Sequence, residues 1–133
     1  MKLAVVGSRS FKDNLQARIV AQDIIRNRLF NGKITTIISG GANGPDKWAE
    51  EVAKQFNIET IIYKPEWKTY GKSAGMRRNV DIISASDHVL IFWDEKSKGT
   101  AHDIKITRKQ NKSYELFVWD KSENWRLYES FID

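Results

Sequence analysis

Residues 36–50, Thr-Ile-Ile-Ser-Gly-Gly-Ala-Asn-Gly-Pro-Asp-Lys-Trp-Ala-Glu, have the types and spacing of an anion site. Ile37 and Ile38 suit a short buried strand. Gly40, Gly41 and Gly44 allow positive φ and let another molecule come close to the backbone. Pro45 suits the first helical position, with Asn43 or Gly44 as the cap and Asp46 in the first turn. A strand feeding a glycine turn and then a helix start aims free N–H groups and the positive end of a helix dipole at one point. The chemistry this implies is phosphate binding. The amides of Gly40, Gly41, Ala42, Asn43 and Gly44 are the donors, and the side chains of Ser39 and Asn43 add to them.

Other loops repeat the pattern. Gly7, Ser8 and Arg9 follow a first apolar strand, and Ser97, Gly99 and Thr100 open a helix beyond a later one, a second place for an anion. Arg9 and Arg78 carry the guanidinium fork that matches phosphate oxygens. Asp46 either complements the helix dipole or takes a hydrogen bond from a ribose hydroxyl or a loop amide. Glu50 pairs with Lys47 or Lys54, or joins the site. Asp94, just past a strand, is placed for ribose or base. Trp67 and Trp93 each either stack on a base or pack in the core. His88 and His102 stand without partners at metal-ligand spacing, so no metal site and no cofactor are expected. The glycine turn lacks the Gly-Lys-Ser/Thr ending of a Walker loop.

The elements that hold these residues alternate. Strands are expected at 3–6, 35–38, 58–63, 87–92 and 114–119. Helices are expected at 14–30, 45–56, 73–85 and 100–109. The first helix has Leu15, Ile19, Val20, Ile24, Ile25 and Leu29 at helical spacings, and Asn31-Gly32 stops it. The second shows a stripe of Trp48, Ala49, Val52, Ala53 and Phe56. Residues 65–70 read as a loop. Strand–helix alternation with short links predicts an α/β fold, an open and mostly parallel five-stranded sheet with helices on both faces. The tail carries Trp125, Leu127, Tyr128 and Phe131, and is expected to pack on the sheet edge or on a partner subunit.

Composition narrows the class. The 133 residues suffice for one domain with one core. No run approaches the roughly 18 apolar residues of a membrane span. The N-terminus turns polar too soon for a signal peptide, and the absence of cysteine suits a reducing cytoplasm. The net charge of +5 invites nucleic acid as a partner, although the basic residues are scattered.

Four motifs occur in order: Gly7-Ser8-Arg9-x-Phe11; Ser39-Gly40-Gly41-Ala42-x-Gly44-x-Asp46-x-x-Ala49-Glu50; Gly71-Lys72-x-Ala74-Gly75-x-x-Arg78-Asn79; and Gly99-Thr100. Together they resemble the SLOG superfamily, and within it the small YspA-like proteins. The resemblance covers residues 1–118 as one domain and leaves 119–133 as a C-terminal extension. It implies a Rossmann-like three-layer sandwich that binds a nucleotide or nucleotide-derived ligand as a sensor or sequestering module. It also implies relation to the LOG phosphoribohydrolases and to the single-stranded-DNA-binding DprA proteins, with homo-oligomers as the expected assembly. The motif selects Arg78 over its neighbour Arg77, and Arg78 and Asn79 join the ligand set. In LOG enzymes an arginine on the central helix and a glutamate three residues past a Gly-Thr act together. Arg78 and Asp103 stand at those positions, which makes them the candidate catalytic pair for an N-glycosidase. Asp is one methylene shorter than Glu, and Ser97-Lys98 replaces the diglycine before the Gly-Thr. Nucleotide binding thus leads, followed by nucleotide hydrolysis and single-stranded nucleic-acid binding.

Overall fold

The computed structural model describes residues 1–132; Asp133, the last residue of the expected extension, lies outside the described residues. In chain order the elements are β1 (Lys2–Gly7), α1 (Leu15–Asn31), β2 (Thr36–Ser39), α2 (Pro45–Gln55), β3 (Glu59–Ile62), α3 (Trp67–Tyr70), α4 (Ala74–Ala85), β4 (His88–Trp93), α5 (Lys98–Lys109), β5 (Ser113–Trp119) and β6 (Trp125–Phe131). The strands form one sheet in the order β3-β2-β1-β4-β5-β6. β1 to β5 are mutually parallel, and β6 returns antiparallel to β5. The sheet therefore has six strands, not the expected five.

Central strands buried on both faces must be apolar throughout. β1 (Leu3, Ala4, Val5, Val6) and β4 (Val89, Leu90, Ile91, Phe92) meet that demand, with every one of these residues buried. Alternate side chains then divide into two cores. Leu3, Val5, Leu90 and Phe92 face α1 and α2, and Ala4, Val6, Val89 and Ile91 face α4 and α5.

The buried face of α1 differs from the expected stripe. Leu15 and Ile19 are exposed, whereas Ala17, Ala21, Gln22, Ile25 and Leu29 are buried. Small residues win here because α1 lies close to α2, where Ala49, Val52 and Ala53 join the same cluster. The Asn14 side chain caps α1 by accepting from the Ala17 amide at 3.0 Å. On α2, Trp48, Ala49, Val52 and Ala53 are buried as expected, but Phe56 is exposed. The stretch expected to be a loop before α4 contains the single turn α3.

The tail forms β6. A tight turn precedes it, in which the Asp120 carboxylate accepts from the Ser122 amide at 3.0 Å and the Asn124 amide at 3.3 Å. Trp125 then enters the α1 side of the core. Its ring meets Phe11, Phe92 and Trp119 edge-on, and its Nε1–H donates to the Ala17 carbonyl at 2.9 Å. At the rim where β4 and β5 begin, Glu115 accepts from Arg28 through both carboxylate oxygens and lies 2.9 Å from His88 Nε2. Burial opposes the Glu115 charge, but His88 and Arg28 outweigh it and hold the pKa down at about 2. Among the described residues no helix is long and apolar enough to cross a membrane.

Trp125→Ala removes an aromatic ring and a buried hydrogen bond together. The expected cost is about 3–5 kcal/mol, read as a lower midpoint in urea unfolding with little change in slope.

Candidate functional site

The chain runs outward from β1 to β3, then restarts on the other side of β1 with β4. Ligands in such sheets bind where strand order reverses, beyond the carboxyl ends of the strands. A cavity of about 420 Å³ opens there, between the loops that follow β1, β2 and β4.

Gly7 permits the loops to meet. A Cβ there would lie 2.5 Å from Pro45 Cγ and 2.6 Å from the Phe92 carbonyl oxygen. Only glycine lets the start of α2 press on the end of β1. Ser8 follows and is buried. Its amide donates to the Phe92 carbonyl, its Oγ accepts from the Asp94 amide at 3.1 Å, and the same Oγ lies 3.1 Å from the Thr100 hydroxyl. One small side chain thereby joins three segments. Asp94 is turned inward as well. It accepts from the Lys96 and Ser97 amides and from the Ser10 hydroxyl at 2.7 Å. Burial disfavours its charge, yet these hydrogen bonds prevail and its pKa is lowered.

The glycine turn uses several of its own donors. Asp46 accepts from the Gly40 amide at 3.1 Å and the Ala42 amide at 3.4 Å, as one of its expected roles requires. Ser39 Oγ accepts from the Gly41 amide at 3.1 Å and donates to Glu50 at 2.7 Å. Three of the five amides expected to face a phosphate are thus engaged inside the turn. Glu50 also pairs with Lys47 at 3.6 Å. Gly44 caps α2 with φ of +93°, a left-handed conformation that favours glycine.

Arg78, on α4, clasps this turn. Its Nη1 donates to the Gly40 carbonyl at 2.7 Å and its Nε to Asn79 Oδ1 at 2.6 Å. A Cβ on Gly40 would come within 2.8 Å of that Nη1. Asn79 in turn donates to Asp103 Oδ1 at 2.8 Å. Gly40, Arg78, Asn79 and Asp103 form one hydrogen-bonded line under the cavity. Burial lowers the Arg78 pKa, while the nearby Asp46 charge raises it. Burial also pushes Asp46 up to about 7 against the pull of Arg78. Asp103 rises to about 7 as well, through burial first, with Asn79 opposing and Asp46 adding to the rise.

The cavity wall contains Gly7, Arg9, Ala42, Asp46, Arg78, Asn79, Asp94, Ser97, Gly99, Thr100 and Asp103. Ser8, Ser39 and Gly40 stand behind that wall as supports. Gly41 opens on a neighbouring cleft. Asn43 and Gly44 lie outside both linings. Val6 and Ser10 line the cavity without having been anticipated. Ser10 gave no local signal, because its partner Asp94 is 84 residues away. Arg9 is exposed and, among the described residues, enters no ion pair. The first-turn amides of α5, around Gly99 and Thr100, have no carbonyl of their own helix to serve. Arg9 and these amides are donors on the cavity wall left without a partner among the described residues.

Comparison with solved structures places this architecture. DNA processing protein A (DprA) from Streptococcus pneumoniae superposes with a TM-score of 0.70 at 20% identity, over 86% of this chain. The chain spans about half of that protein's length, 49%. DprA from Helicobacter pylori, in a structure that concerns its single-stranded DNA binding mode, gives a TM-score of 0.68 at 26% identity, over 98% of this chain and 68% of that one. The fold is the one found in DprA. The expected relation to DprA therefore holds in its coarse form, that of a Rossmann-type α/β sheet. By sequence, the Gene 61 protein of Mycobacterium phage D29 is 29% identical over 115 residues, 81% of this chain and 89% of that protein. No family model matches the chain.

The raised pKa of Asp103 has a stability consequence with a definite sign. An unfolded Asp loses its proton near pH 3.9, whereas folded Asp103 keeps it to about pH 7. Its contribution is fully present below pH of about 4 and is lost as pH rises through about 7. Asp103→Asn cannot ionise. The variant should gain roughly 1–3 kcal/mol over wild type between pH 5 and pH 8, measured as the difference in urea-unfolding free energy at the two pH values.

Proposed function

We propose that this chain binds single-stranded DNA by holding a backbone phosphate in the cavity between the loops after β1, β2 and β4. The observation that carries this reading is the exposed Arg9 beside the first turn of α5 on the cavity wall. A guanidinium and unserved helix-start amides are phosphate ligands by geometry and charge. The DprA fold supports the choice of a strand over a free nucleotide, since the Helicobacter pylori neighbour is described for its single-stranded DNA binding mode. The net charge of +5 supplies the long-range attraction. Neither comparison speaks for the nucleotide-sensor reading, although a free nucleotide offers the same phosphate and would compete for the cavity. The four motifs further favour kinship with the small YspA-like proteins.

A second reading rests on Asp103, which lines the cavity and titrates near neutrality. A carboxyl so placed can stabilise an oxocarbenium-like ribosyl centre, as in glycoside hydrolysis. Against it, Arg78 is committed to the Gly40 carbonyl. This reading predicts release of free base from a nucleoside monophosphate, abolished in Asp103→Ala.

The DNA reading is tested by fluorescence anisotropy with a labelled oligothymidylate. Affinity should fall steeply between about 50 and about 200 mM salt. Arg9→Ala should weaken binding about tenfold and reduce the salt slope by about 1. Affinity independent of salt would eliminate the phosphate-held strand.

A further inference from the structure

On the far side of the Gly40–Gly41 turn from the cavity lies a second cleft of about 490 Å³. Its floor and walls are Ile62, Pro65 and Trp67, with Lys47 and Lys64 beside them. The backbone of Gly40 and Gly41 closes it without side chains. Gly41 faces this cleft and the adjacent Ala42 faces the first cavity, so a single turn of backbone divides the two.

Trp67 is the unusual residue. Its exposure is 55%, against 2% for Trp48 and 6% for Trp125. A large exposed ring beside lysines is costly to hydrate and well suited to a flat, anionic partner. The ring is also held in place. It sits on α3, whose Thr69 and Tyr70 amides close on the Glu66 carbonyl. Its Cη2 lies 3.6 Å from where a Cβ on Gly75 would stand, so the ring edge rests against the first turn of α4. Among the described residues no carboxylate lines the cleft, and Lys47 and Lys64 give it positive charge. Lys47 shares its charge with Glu50 at 3.6 Å, but half of its side chain remains exposed.

We propose that this cleft is a nucleobase subsite, in which a base of single-stranded DNA stacks on the Trp67 indole with its phosphate beside Lys64 and Lys47. The subsite rests on the reading that the chain binds single-stranded DNA. It adds where the strand goes after the phosphate-holding cavity: across the side-chain-free face of the glycine turn and onto Trp67. Stacking is tolerant of base identity because every base has a π-face. The chain thus holds neighbouring nucleotides by two different means, charge in one concavity and stacking in the next.

The test compares two labelled oligonucleotides of equal length, an oligothymidylate and an abasic strand with the same phosphates. Binding of each to wild type, Trp67→Ala and Trp67→Phe is measured at fixed salt, with thermal unfolding as the check on folding. The expected result is a loss of about tenfold for Trp67→Ala on oligothymidylate. On the abasic strand its loss should stay below about twofold, and Trp67→Phe should recover most of the oligothymidylate affinity. Equal oligothymidylate affinity in all three proteins overturns the subsite and leaves single-stranded DNA binding intact. Equal losses on both strands also overturn it, since that pattern means lost packing or charge instead of stacking. Absence of oligothymidylate binding by wild type overturns the DNA reading itself. If Trp67→Ala unfolds, Trp67→Phe against a further variant, Trp67→Leu, decides the same question.

Discussion

The guanidinium of Arg78, buried against the Gly40 carbonyl with Asp46 close by, is the contact on which the rim depends. A buried cation costs several kcal/mol in lost hydration unless its donors are met. Here they are met by a carbonyl, an amide side chain and the field of two acids. In exchange, the turn after β2 is locked to α4, and the loop amides are ordered by Asp46 from inside. The glycine turn is held by hydrogen bonds of its own from both sides. Preorganisation of this kind lowers the cost of binding, because the loop has little freedom left to lose.

The same clasp concentrates acid beneath the cavity proposed to hold a phosphate. Asp46 and Asp103 both titrate near neutrality. Their negative charge opposes a phosphate only when they are ionised, and the incoming phosphate favours their neutral forms. Under the proposed phosphate binding, ligand uptake and proton uptake would be linked at this rim. Ser8 ties the segments after β1 and β4 through neutral hydroxyl and amide groups, so the frame stays constant while the charge beneath it varies.

The alternation of strands and helices was legible because it depends on local signals. Apolar runs at Leu3–Val6 and Val89–Phe92, the glycine stops and Pro45 mark elements without reference to the rest of the chain. That the strand-end loops share one rim then follows from topology alone, and so the cavity's position was legible too. What escaped were decisions made between distant segments. The buried face of α1 is chosen by the closeness of α2, so Ala17 and Ala21 displace Leu15 and Ile19. β6 has mostly exposed side chains and lacks the apolar run of the central strands, so only its pairing with β5 reveals it. The use of the Gly40 and Ala42 amides by Asp46, and of Arg78 by Gly40, was hidden for a related reason. Residue type shows that a group can donate or accept, and not which of two partners it will choose.

Trp125 lends the fold a constraint of timing. Its indole donates to Ala17, 108 residues earlier, and its ring completes the core between α1 and the sheet. β1 similarly finds one of its two neighbours only when β4 has been made. A ribosome delivering this chain from its N-terminus cannot release a finished first half, because both the central pairing and the last core side chain arrive late. The α1 side of the core therefore stays incomplete until β6 has been made.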